Sequence, residues 1–185
     1  MKKILTLCCI ILLFICASAN AGSIRVVEGL ATGKYYNEVF GSWSIMPISI
    51  YVDEEEKTYI EGGEGFISAV NYLYPTERIE IIKLLKKALT WMEIAKKEKA
   101  EITKALGLSK PYRSRQYEIE LKFWATNEGK QNFVILYITE YNNMFKKIAL
   151  YLDSSQVGGL IKLLEKVPQT LKELKEQEKK LEIFK

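Results

Sequence analysis

A chain of 185 residues with 27 basic and 23 acidic side chains, a net charge of +4 and no histidine leaves several chemistries out. Without imidazole, neither a Ser-His-Asp triad, a Cys-His dyad nor a histidine metal site can be built. The three cysteines (Cys8, Cys9 and Cys16) all fall in the first 21 residues, so the rest of the chain has no thiol, disulfide or thiolate metal ligand.

Those 21 residues read as a signal peptide. Lys2 and Lys3 make a positive start, and residues 4–15 form an apolar run of twelve. A bilayer span needs about 20 such residues. The small residues Ala17-Ser18-Ala19-Asn20-Ala21 then fit cleavage after Ala21. Ile15 before Cys16 and Leu7 before Cys8 leave no small residue where lipoprotein processing needs one. Cleavage takes the basic count to 25 against 23 acids, a net of +2, and leaves residues 22–185 as one α+β domain without a membrane span. A periplasmic or secreted location follows. So balanced a surface argues against a strong nucleic-acid or membrane footprint.

Residues 24–30 suit a short edge strand closed by Thr32-Gly33. The run from Ile45 to Val52 alternates, with Ile48, Ile50 and Val52 on one face and Ser49 and Tyr51 on the other. Pro47 should start that strand or lie at an edge, because it cannot donate to a ladder. Asp53-Glu54-Glu55-Glu56-Lys57 reads as a charged hairpin tip, residues 58–61 as a return strand, Gly62-Gly63-Glu64-Gly65 as a second turn, and residues 66–74 as a third strand. After Pro75, a helix is expected from Glu77 to about Leu106, striped by Ile81, Leu85, Ala88, Met92, Ala95 and Ile102, with Leu84 and Trp91 widening the stripe. Residues 110–115, KPYRSR, form a basic connector.

The second half is a clearer meander. Tyr117, Ile119, Leu121, Phe123 and Ala125 alternate with Glu118, Glu120, Lys122 and Trp124. Residues 127–130 turn the chain into residues 133–138, which are apolar on both faces as a central strand would be. Tyr141-Asn142-Asn143 turns again and residues 145–152 return. Asp153 and Gln156 suit a capping box opening a helix striped by Leu160, Leu164, Val167, Leu171, Leu174 and Leu181, which Pro168 should kink or split.

The halves share more than an outline. Residues 72–87, YLYPTERIEIIKLLKK, align without a gap to residues 151–166, YLDSSQVGGLIKLLEK, at an offset of 79. The same offset pairs the six stripe positions of one helix with those of the other, and the charged Lys99 with Glu178. An internal duplication of an antiparallel β-meander followed by a long amphipathic helix is expected, packed as an intrachain pseudo-dimer. Copy one is placed at about 24–107, a linker at 108–115 and copy two at about 116–185. This outline is similar in topology to single-stranded-DNA-binding proteins of the PC4 and whirly type, and no motif of theirs is matched residue by residue.

Chemistry-bearing patterns are few. Asp53 with Glu54, Glu55 and Glu56 lacks the spacing and central glycine of a calcium loop, and the glycine-rich stretch at 62–65 lacks the lysine and hydroxyl of a phosphate loop. No catalytic residue, metal site or cofactor is assigned. The residues singled out as ligand contacts are aromatic and basic: Trp43, Tyr51 and Trp124 on sheet faces, and Tyr112, Arg113 and Arg115 in the connector. Helices covering those sheet faces would turn the first three into core. The reading is an exported, non-enzymatic protein, monomeric or weakly dimeric, that binds a peptide, protein or small ligand. The alternatives are a single-stranded nucleic-acid-binding module using a sheet face and, third, a carboxylate-dependent enzyme.

Overall fold

The computed structural model describes residues 24–108 and 119–182. Within them, alternating side chains form two antiparallel meanders, each leading into a helix. The first meander is β2 (Ala31–Asn37), β3 (Ser42–Val52), β4 (Thr58–Glu64) and β5 (Ile67–Leu73), followed by α1 (Pro75–Glu98). A two-residue strand, β1 (Arg25–Val26), precedes it and pairs with β3. The second is β6 (Ile102–Leu108), β7 (Ile119–Thr126), β8 (Gln131–Glu140) and β9 (Asn143–Leu152), followed by α2 (Ser154–Glu182). The protein is α+β: its described residues form one nine-stranded antiparallel sheet, in the order β5-β4-β3-β2-β9-β8-β7-β6 with β1 beside β3, and two helices.

The two meanders join between β2 and β9, where the ladder amounts to the pair Lys34↔Tyr151. Elsewhere the sheet closes back on itself, since β5 lies against the β8–β9 turn. There Tyr141 N–H donates to Val70 O at 3.0 Å, Asn71 Nδ2 to Thr139 O at 2.7 Å, and Val70 N–H to Glu140 Oε2 at 3.2 Å. The inner faces, carrying Ile50, Ile60, Leu121, Leu136 and Leu150, share one core with both helix stripes. Burying that apolar area is the main term holding the layers together. The helices touch each other as well, and Lys86 Nζ lies 2.7 Å from Glu165 Oε1 at equivalent points along them. Asp153 and Gln156 form the expected capping box: Gln156 N–H donates to Asp153 Oδ1 (3.1 Å) and Asp153 N–H to Gln156 Oε1 (3.0 Å).

Several expectations need correction. The first helix stops at Glu98, eight residues before Leu106, because Lys99 turns left-handed (φ 51°, ψ 37°). Residues 102–108 then become an edge strand whose Ile102 stands opposite Ala125, so Ile102 leaves the helix stripe and Lys99 is a cap. A strand partner outweighs the fair helix propensity of that segment. Next, Thr32-Gly33 is not a turn; both lie in β2, with Gly33 admitting the Leu150 and Leu152 side chains at the seam. Gly62 and Gly63 likewise extend β4. A Cβ on Gly62 would sit 2.8 Å from both Ile138 Cδ1 and Leu150 Cδ1, so the glycine lets β8 and β9 pack closely. Lastly, of the kink or split expected at Pro168 the split does not occur, since α2 runs unbroken through it, and Pro47 lies inside β3, one residue before the β3–β4 ladder reaches Ile48. The basic connector at 110–115 falls outside the described residues.

The charged β3–β4 tip is ordered by Asp53, whose Oδ1 accepts from Lys57 N–H at 2.9 Å and whose Oδ2 accepts from Tyr59 Oη at 2.9 Å. Burial, then that hydrogen bond, pushes the Tyr59 phenol from 10.0 up to about 12. Folding therefore favours protonated Tyr59. Its contribution to stability is complete below pH 10 and is lost as pH rises from 10 towards 12. Tyr51 and Tyr151, also raised chiefly by burial, add to the alkaline loss. In urea unfolding across that window, Tyr59→Phe should show a shallower fall than the parent; an identical slope would contradict the assignment.

Candidate functional site

Alternation along each strand sends one set of side chains to the core and the other to the outer face, away from the helices. On β2 the outer set is Lys34 and Tyr36, on β3 it includes Trp43, on β7 Trp124, on β8 Phe133 and Ile135, and on β9 Tyr151. Register then makes them neighbours. Tyr36 pairs with Trp43, Lys34 with Tyr151, Tyr151 with Ile135, and Phe133 with Trp124.

The result is a run of rings crossing the seam between the meanders. Tyr36 and Trp43 centroids are 5.1 Å apart, Trp43 and Tyr151 5.0 Å, Tyr151 and Phe133 6.2 Å, and Phe133 and Trp124 5.7 Å with planes only 15° apart. These are the separations and tilts at which ring quadrupoles attract, so the lining is mutually braced. With Gln131 and Ile135 the rings bound an open groove of about 820 Å³. A volume of this size suits a small ligand or a few side chains of a peptide.

Charge in the groove is nearly cancelled. Lys34 Nζ stands 5.4 Å from the Phe133 ring centroid and 3.5 Å from Asp153 Oδ2, an ion pair at the groove wall. Beside it, Lys122 and Lys147 lie over the Tyr137 ring at 4.9 and 4.3 Å, and both reach Glu120, at 3.1 and 3.5 Å. Cation–π contacts and carboxylates thus occupy these ammonium groups.

Of the residues singled out from sequence, Trp43 and Trp124 are brought to this one groove, and no helix covers them. Tyr51 is not part of it: it lies at the far end of β3, half-buried, with its hydroxyl donating to Glu61 Oε2 at 2.9 Å. Tyr112, Arg113 and Arg115 lie outside the described residues. Lys34, Phe133, Ile135 and Tyr151 went unassigned from sequence. The signal that could have found two of them was there, since a strand apolar on both faces, residues 133–138, demands a partner for its outer side. Among the described residues no three carboxylates come together to hold a metal, and in the 53–57 tip Glu55 pairs with Lys57 and Glu56 with Lys175.

No protein-family model matches this chain, and no curated protein matches it. Among solved structures, that of the plant transcriptional regulator PBF-2 is similar over 91% of this chain and 98% of that one, at 13% identity and a TM-score of 0.29. A score that low leaves function to be argued from the residues.

Proposed function

We propose that this is an exported, non-enzymatic binding protein, periplasmic or secreted, whose outer-face groove takes an uncharged, ring-bearing ligand: a small molecule or the aromatic side chains of a peptide. The observation that carries this reading is the unbroken ring lining from Tyr36 to Trp124, whose lysine, Lys34, is already paired with Asp153. Stacking and burial of apolar area supply the affinity, and the cancelled charge selects against polyanions. The recurring order of four strands and a helix, with the paired residues at an offset of 79, supports an internal duplication; the groove would then lie across the boundary between copies.

Titration with the neutral dye N-phenyl-1-naphthylamine tests the groove. Binding should be insensitive to salt and should weaken about tenfold in Trp124→Ala, since a lost ring contact of roughly 1.4 kcal/mol is a factor of ten. An unchanged affinity in that variant would remove the groove from consideration. The second reading, single-stranded nucleic acid, is favoured by the same rings with Lys34, Lys122 and Lys147 along one face. It predicts instead that oligothymidylate binds with an affinity falling steeply as salt rises, while the dye does not bind.

A further inference from the structure

Among the described residues, three turns open on the same end of the sheet. Because β3 runs antiparallel to both β2 and β4, the β2–β3 and β4–β5 turns face one way, and because β9 runs antiparallel to β2, the β8–β9 turn joins them. At that end the usual rule of polar turns is reversed. Phe66 is 104% exposed, Phe145 90%, Val39 87% and Phe40 78%, with Ile45 and Met144 also in the open among the described residues. Isolated exposed apolar side chains are ordinary; a set gathered from three turns at one end is not.

We propose that this end of the sheet is a membrane-contacting edge, which seats shallowly in the interfacial layer of a lipid bilayer. Three observations choose lipid as the occupant. The side chains come from separate segments, Val39, Phe40 and Phe66 between strands and Met144 and Phe145 in the first residues of β9, so they form a set of single exposed groups that can each enter a fluid layer. Charged residues flank them in the chain, Glu38 beside Val39, Glu64 at the end of β4 and Lys146 and Lys147 after Phe145 in β9, marking where a wetted collar would begin. The backbone donors at two tips are also satisfied from within. Asn37 Oδ1 accepts from the N–H groups of Val39 (3.0 Å) and Phe40 (3.2 Å), and Asn143 Oδ1 accepts from Phe145 N–H (3.1 Å). On the third tip Ser68 Oγ donates to Gly65 O at 2.9 Å. Turns whose polar groups are already paired enter a water-poor layer at lower cost. No helix among the described residues is long and apolar enough to cross a bilayer, so the contact is one of inserted turns.

The mixed signs behind the tips make the attraction apolar and not electrostatic, which sets the test. The chain from Gly22 onward holds every described element and omits the apolar run at 4–15. It should float with pure phosphatidylcholine vesicles, equally at low salt and at about 0.5 M salt, where surface charges are screened. Phe66→Ser combined with Phe145→Ser should cut the bound fraction at least about tenfold with an unchanged melting temperature, because both side chains are already in water in the free protein. The proposal is overturned if neutral vesicles fail to bind, or if binding appears only on phosphatidylglycerol and vanishes with salt. It is equally overturned if the double variant floats like the parent, or if the substitutions instead abolish a concentration-dependent dimer, which would make a second copy the occupant. None of these outcomes involves the ring-lined groove.

Discussion

Leu85→Asp and Leu164→Asp should each unfold the whole chain. Both leucines are fully buried in the core shared by the sheet and the two helices, one on α1 and one on α2. Losing a buried leucine side chain costs about 3–5 kcal/mol, and a carboxylate left in its place without a partner costs several more. A domain of this size is stable by roughly 5–15 kcal/mol in all. Circular dichroism should therefore show the native transition missing at ambient temperature in either variant, while Leu85→Ala and Leu164→Ala stay folded with lowered midpoints. Because both helices line one core, damage to either should reach the other half. Two separate transitions, with one half surviving, would show that each meander and helix is a folding unit of its own.

Gly63→Ala is expected to cost about 3 kcal/mol or more, a drop in melting temperature on the order of 10 °C. Gly63 sits in β4 with φ of +95°, where a side chain is strained, and a Cβ there would lie 1.9 Å from the carbonyl oxygen of Ile67 on the neighbouring strand. Backbone cannot rotate out of the way as a side chain end can, so the β4–β5 turn would have to re-form. Gly65→Ala is the control. Its φ is +58°, yet nothing lies within 4 Å of the added carbon, so only the cost of a left-handed alanine, about 1 kcal/mol, should appear. Comparable melting of the two variants would rule out the clash as the cause.

These glycines show where reading the sequence ran short. Gly62-Gly63 looks like a turn by composition, and only the approach of Ile138 and Leu150, from a distant part of the chain, explains it as strand. The same holds for Gly33 at the seam with β9. Local pattern was sufficient where a face is half-buried: Ile48, Ile50 and Val52, the alternation from Ile119 to Ala125, the stripe from Ile81 to Ala95, and the Asp153–Gln156 cap all lie as their spacing implies. It failed at residues 102–108, where helix-forming residues follow a helix without any breaker and the strand is imposed by pairing with β7. Trp124 was legible as an aromatic on the otherwise polar face of its strand, but local pattern did not tell whether a helix covers it and Trp43. That they meet depends on β2 lying beside β9, a neighbour relation between the two halves that neither strand announces.

That relation has a kinetic side. β2 is among the earliest strands synthesised and β9 is the last, yet the ladder that joins the two meanders is made by their contact. Loop closure over most of the chain must be met before this pairing returns anything, which places the protein among the slower-folding topologies. Until β9 arrives, β2 presents an open hydrogen-bonding edge with Tyr36 beside it, a template on which another unfinished chain could pair. The seam that forms the groove floor in the finished molecule is, during synthesis, the point where the chain most needs to be kept apart from its copies.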